Sequence, residues 1–122
     1  MAACGSPSTL TKHRLSKEAE TVQSTAAEGA TLAAQVARGR TTEPFARIHA
    51  HELAEQAKSA GKVLREAQAP GYDPDREKAA HVAGQVEQAL ERLHAAPGDR
   101  ELARQLQHEL EQDAATAGKV AG

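Results

Sequence analysis

Four stretches of this chain repeat small or apolar residues at three- and four-residue spacings, alternating strictly in the first two, and most of those positions are alanine or leucine. The first runs Leu15, Ala19, Val22, Ala26, Gly29, Ala33, Val36, and the second Ala46, Ala50, Leu53, Ala57, Ala60, Leu64, Ala67. Ala79, Ala83, Val86, Leu90 and Leu93 form the third, broadened by Val82 and Ala89; Leu102, Leu106 and Leu110 with Ala103, Ala114 and Ala117 form the fourth. A 4-3 repeat keeps one stripe of a helix facing its neighbour, so each stretch reads as a heptad seam. Knobs as small as alanine let two helices approach to the short end of the usual interaxial range of roughly 8–10 Å.

The breaks between seams carry turn chemistry. Gly39 stops the first helix, Thr41 or Thr42 begins the second, and Glu43 and Pro44 fall in its first turn, where a missing N–H costs little. Pro70-Gly71-Tyr72-Asp73-Pro74 separates the second from the third, with Asp73 as expected N-cap and Pro74 at the first helical position. Pro97-Gly98-Asp99 divides the third from the fourth. The pattern predicts helices over about residues 9–38, 42–68, 74–96 and 99–117, with residues 1–8 a flexible tether and 119–122 a frayed tail. Connections this short require antiparallel neighbours, so the expected fold is all-α, an up-down-up-down four-helix bundle with Ala-rich heptad seams. Alanine seams bury little area per chain, which leaves a homodimer as a second arrangement.

Composition agrees. Leu, Ile, Val and Phe make up only about 15% of the 122 residues, below an ordinary core, while 27 are alanine, the strongest helix former. With 15 basic and 17 acidic side chains, no long basic run and only Phe45 and Tyr72 as aromatics, the chain lacks both the charge and the stacking surfaces of a nucleic-acid binder. Residues 1–70 carry nine basic and seven acidic groups, residues 71–122 six and ten, so the two halves attract weakly.

One cysteine, Cys4, lies in the Ser- and Gly-containing leader Met1-Ala2-Ala3-Cys4-Gly5-Ser6. Small residues before a cysteine with Gly and Ser after it resemble the lipobox of bacterial lipoproteins. That resemblance implies cleavage before Cys4, lipid attachment to it and anchoring to a membrane of the bacterial cell envelope. Met1 stands in the place of the family's usual Leu, as it would with the targeting peptide removed and an initiator Met set near the mature end.

Chemistry elsewhere is sparse. Ser16, Ser24 and Ser59 lie on helices without a nucleophile elbow, and no phosphate-cradling Gly-rich loop occurs. Carboxylate pairs such as Glu52/Glu55 and Glu109/Asp113 are expected to be balanced by bases or solvent, with no raised pKa. Of the six histidines, His49 and His94 fall on the shoulders of their seams, while His51, His81 and His108 point mainly outward. Glu91-x-x-His94 has the spacing of one half of a di-iron carboxylate motif, so His49, Glu91 and His94 are the candidate metal ligands. His51-Glu52-Leu53-Ala54-Glu55 misses the zinc-protease pattern, with Glu55 in the place of the second histidine.

Phe45 and Ile48 lie off the alanine seam of the second helix, near Arg38, Arg40 and Arg47. Two readings follow: Phe45 plugs the open end of the bundle, or Phe45 and Ile48 with Arg40 and Arg47 form an apolar anchor and basic rim for a protein partner. Tyr72 is expected to cap the other end. These features lead to a non-enzymatic lipoprotein, tethered through Cys4, that acts as an interaction or structural module. The alternatives are a small metal- or ligand-binding buffer or sensor and a soluble cytoplasmic helical adaptor in which Cys4 is incidental.

Overall fold

The computed structural model describes residues 9–122 and contains four helices: α1 Lys12–Ala37, α2 Glu43–Glu66, α3 Asp73–Ala95 and α4 Arg100–Ala121. Each runs antiparallel to the next, and α4 returns along α1, so the expected four-helix bundle is what the chain forms. Cys4 and the rest of the 1–8 leader lie outside the described residues.

The two most intimate pairs are α1 with α4 and α2 with α3; α1–α2 and α3–α4 are looser. Small residues sit where the tight pairs meet. A Cβ placed on Gly29 would lie 2.9 Å from a Leu90 methyl and 3.2 Å from one of Leu110, and one on Gly61 would lie 3.3 Å from the Ala83 methyl. Across the bundle α1 also touches α3, whereas α2 and α4 do not meet among the described residues. The cross-section is therefore a rhombus with α1 and α3 on its short diagonal. This explains why α1 buries more than its predicted seam: Thr25, Ala30 and Leu32 are buried as well, because α1 packs against three helices. The Thr25 hydroxyl donates to Gln56 Oε1 of α2 at 3.4 Å.

Helix starts follow the capping chemistry with one exception. Thr11, Thr42 and Asp99 accept from the backbone N–H groups of Arg14, Phe45 and Leu102 at 3.1, 3.3 and 3.0 Å. Asp73, expected as an N-cap, is instead the first residue of α3, after Tyr72. Its carboxylate accepts from the Ala69 N–H and from Arg76 Nε, both at 2.9 Å, while Arg76 Nη1 donates to the Leu64 carbonyl at 2.8 Å. The side chain thus braces the preceding turn, and the two hydrogen bonds hold its carboxyl below the usual carboxylate range.

Both chain ends differ from expectation. Thr9 and Leu10 are not helical: Thr9 bridges Gln68, the Leu10 N–H donates to the Gln68 carbonyl at 2.7 Å, and the Leu10 side chain is buried. The expected frayed tail is corrected, since α4 continues to Ala121. Gly118 lies beside Gln23, and α1 extends from there back to Lys12, so the last turn of α4 still has a helix to rest on and Val120 and Ala121 pack against the core. At the opposite end the 38–42 and 96–99 turns interlock. Gly39, at φ +68°, lies under the Arg100 guanidinium, and Gly98 lies under the Glu43 carboxylate.

Ten large side chains carry much of the sealed interior, Leu90, Leu106 and Leu110 among them. Leu90→Ala is expected to lower unfolding stability by about 3 kcal/mol, and Leu102→Ala, at a half-buried site, by well under half as much. Urea midpoints of the two variants, read with unchanged denaturant slopes, check the ordering.

Candidate functional site

Large hydrophobic side chains exposed among the described residues are Phe45 at 53%, Ile48 at 62% and Tyr72 at 38%. Phe45 is therefore not a plug. Ala46 and Ala50 take the inward positions of that turn, which leaves Phe45 and Ile48, three residues apart, as neighbours on the outer side of α2. Pro44 and Arg47 beside them are also exposed. Tyr72 only partly covers its end of the bundle, with the Lys12 ammonium 5.9 Å from its ring centroid.

Phe45 stands at the edge of a groove. Its ring meets that of His49 edge-on at 5.4 Å, and the two form one wall of a depression of about 390 Å³ floored by Ala27, Thr31, Leu32 and Gln35 of α1. On the other side of the same α1 ridge runs a second groove of about 700 Å³, bounded by Gln107, Glu111 and Ala114 of α4 and closed toward the end by Arg38 and Arg40. Ala27, Thr31 and Gln35 belong to both. The rhombic cross-section is the cause: α1 sits at an obtuse corner, so its outer ridge is set back between α2 and α4 and the three helices present one broad, shallow face.

The arginines around this end are uncommitted. Among the described residues, ion pairs engage Arg14, Arg76, Arg92 and Arg104, but none is made by Arg38, Arg40, Arg47 or Arg100. Arg14, in the first turn of α1, is taken up by Glu18 at 3.2 Å.

The predicted metal ligands do not converge. His49 faces α1, with Nε2 3.7 Å from a Glu28 oxygen and Nδ1 buried without a hydrogen-bond partner among the described residues. His94 faces α2, where Nδ1 lies 3.0 Å from the Arg47 carbonyl and the ring stands 5.5 Å from that of His51. A carbonyl only accepts, so His94 carries a proton on Nδ1. Glu91 is one helical turn from Glu87, whose carboxyl is pushed up by burial and by that neighbour. Among the described residues no three His, Cys, Asp or Glu side chains are placed to share an ion, so the grouping of His49, Glu91 and His94 is corrected. The His51–His94 pair was missed because the phase of α2 turns His51 away from the core but not away from α3.

A polar groove between α3 and α4, about 360 Å³ and lined by Gln85, Gln88, Arg92, Glu109, Gln112, Asp113 and Thr116, holds a further departure from expectation. Arg92 pairs with Glu109 at 3.8 Å. Asp113 is partly buried beside Glu109, and burial first, then the Glu109 charge, raise its pKa from 3.8 to about 6, with His81 opposing.

Comparison of the chain with known protein families, with curated proteins and with solved structures finds no match.

For Asp113 the folded pKa lies above the unfolded one, so the folded state holds the extra proton between pH 3.8 and about 6, and stability falls as pH rises through that window. Asp113→Asn is expected to remove this slope and to be more stable than the parent at pH 7 by about 1 kcal/mol, partial hydration of the carboxylate reducing the full effect. Urea titrations of both proteins at pH 4, 5, 6 and 7 check it, and parallel curves would show that Asp113 is not the group responsible.

Proposed function

We propose that this chain is a non-enzymatic helical-bundle module that binds another protein through the Phe45–Ile48 face and is held to a bacterial envelope membrane by lipid on Cys4. The observation that carries the interaction part is the exposure of Phe45 and Ile48 on the first turns of α2, at the opposite end from the Thr9–Gln68 bridge where the leader joins the bundle. A helix rises 1.5 Å per residue, so α2 holds the two ends roughly 35 Å apart. The leader supplies the tether, the bundle the spacer, and the Phe45–Ile48 face the contact. Membrane anchoring is supported by the lipobox-like Ala2-Ala3-Cys4-Gly5 alone. No helix among the described residues is long and apolar enough to cross a membrane, so anchoring in this reading falls to the cysteine.

The rest of the polar chemistry suits this role. Thr11, Thr42 and Asp99 cap helices, Asp73 and Arg76 brace a turn, and the remaining pairs lie on the surface.

Two measurements test the two parts separately. Intact mass of the protein from a native membrane fraction is expected to show a chain beginning at Cys4 with an acyl increment, and Cys4→Ser to move it to the soluble fraction. An unmodified chain would remove the anchor. The double variant Phe45→Ala/Ile48→Ser is expected to keep the parent's thermal midpoint within about 2 °C, since exposed positions contribute little, while losing at least tenfold in affinity for the partner. Retained affinity would remove the face.

A further inference from the structure

We propose that His51 and His94 form a two-imidazole site, spanning α2 and α3, for a divalent ion of the late first transition row such as zinc or copper, with water completing its coordination. Among the described residues these are the one pair of histidines whose rings meet, with centroids 5.5 Å apart and planes tilted by 43°. Ring nitrogens bind such ions at about 2.0–2.1 Å, so two imidazoles sharing one ion have centroids roughly 4.5–5.5 Å apart for ligand angles from square-planar to tetrahedral. The observed separation lies at the wide end of that range, nearer tetrahedral zinc. Ligation calls for rotation of the rings and no movement of the helices.

His94 is already set to act as a donor. Its Nδ1 donates to the Arg47 carbonyl at 3.0 Å, which in the neutral ring leaves the lone pair on Nε2. A hydrogen bond of this kind from the far nitrogen orients a metal-binding histidine and raises its basicity as a ligand. His51 is exposed and makes no hydrogen bond or ion pair among the described residues, so its ring nitrogens are open to an ion. The two helices are one of the two most intimate pairs, and Leu53 and Leu93, beside the histidines in sequence, are buried almost completely. The backbones that carry the two rings are therefore fixed relative to each other. His94 also stands in the last turn of α3, where the free carbonyls favour a cation.

Other histidines lack this arrangement. His49 has Nδ1 enclosed and Nε2 beside Glu28, and His108 Nδ1 lies 3.6 Å from Glu111 of its own helix. Glu55 and Glu91 lie one turn from His51 and His94 but are not placed to share an ion with them. Arg47, one turn before His51, offsets part of their charge, so the two nitrogens and not the net charge supply the affinity.

The test uses full-length Cys4→Ser protein, in which no thiol competes for the ion. Isothermal titration with zinc or copper(II) is expected to show one equivalent bound with roughly micromolar affinity, weakened about tenfold or more in His51→Ala and in His94→Ala and unchanged in His108→Ala. Magnesium, which prefers oxygen donors, is expected not to bind. Electron paramagnetic resonance of the copper form is expected to show hyperfine structure from two imidazole nitrogens in the parent and from one in His51→Ala. Circular dichroism confirms that each variant is folded. Absence of binding in the parent, or parent affinity in His51→Ala, would overturn the site. Parent affinity in His94→Ala would assign ligation to His51 with Glu55 of its own helix and overturn the cross-helix pair. An equal loss in His108→Ala would overturn it too, by showing scattered surface histidines only.

Discussion

Close approach of backbones at alanine and glycine is the constraint on which everything else in this molecule depends. A chain with so few large apolar residues cannot fill a wide interior, and it does not try to. Gly29 admits Leu90 and Leu110 almost onto the α1 backbone, and Gly61 brings α2 against Ala83. Buried alanines line the rest. The interior is narrow enough for the available leucines to seal it, and dispersion across short distances offsets the small area that each alanine removes from water.

That narrowness produces the rhombus. Four helices around a thin core relax until two of them meet across the diagonal, here α1 and α3, and the other two are pushed apart. The helices on the short diagonal bury extra faces: Thr25 and Leu32 on α1, and Ala80 and Val82 on α3. Of the two on the long diagonal, α4 keeps most of itself in solvent, with only four buried residues, Ala103, Leu106, Leu110 and Ala117, whereas α2 still buries Ala54 and Gly61 beside its seam. Grooves on the surface of α1 are thus a geometric consequence of the alanine interior. So is the polar groove between α3 and α4, a looser pair in which glutamines and Asp113 fill space that larger apolar side chains would occupy in a thicker bundle.

The architecture was legible because the signal is periodic and local. Every residue of the predicted α1, α2 and α3 seams is buried, from Leu15 to Leu93, and of the α4 pattern only Leu102 and Ala114 are less than fully covered. What escaped was set by neighbours. Leu10 lies outside any helix and is buried only because Gln68 offers its carbonyl to the chain there. The end of α4 reads as Gly- and Lys-containing and weak, yet it forms because α1 runs alongside it. Asp73 has the character of an N-cap, but the Ala69 N–H and Arg76 compete for its carboxylate. A seam gives the mean direction of the core, not the identity of the flanking helices. For that reason His49 and His94 could be placed on shoulders without revealing that one faces Glu28 and the other the Arg47 carbonyl. Asp113 was read as ordinary on the same grounds, since its burial depends on α3.

Phe45 shows how the same physics decides which side chains the core takes in. A bundle short of large side chains has every reason to bury an aromatic, and the end of α2 lies within a turn of the core. Thr42 fixes the start of α2 through the Phe45 N–H, and the seam then assigns the inward positions to Ala46 and Ala50. Moving Phe45 inward would require rotating α2 as a whole, which would withdraw Leu53 and Leu64 from sites where they are almost fully buried. Loss of that burial costs about 2 kcal/mol or more per leucine, against a comparable gain for one Phe. The helix therefore keeps its phase and Phe45 stays outside beside Ile48. An exposed pair of this kind is held in position by the core it does not join, because the buried leucines set the phase of the helix that carries it.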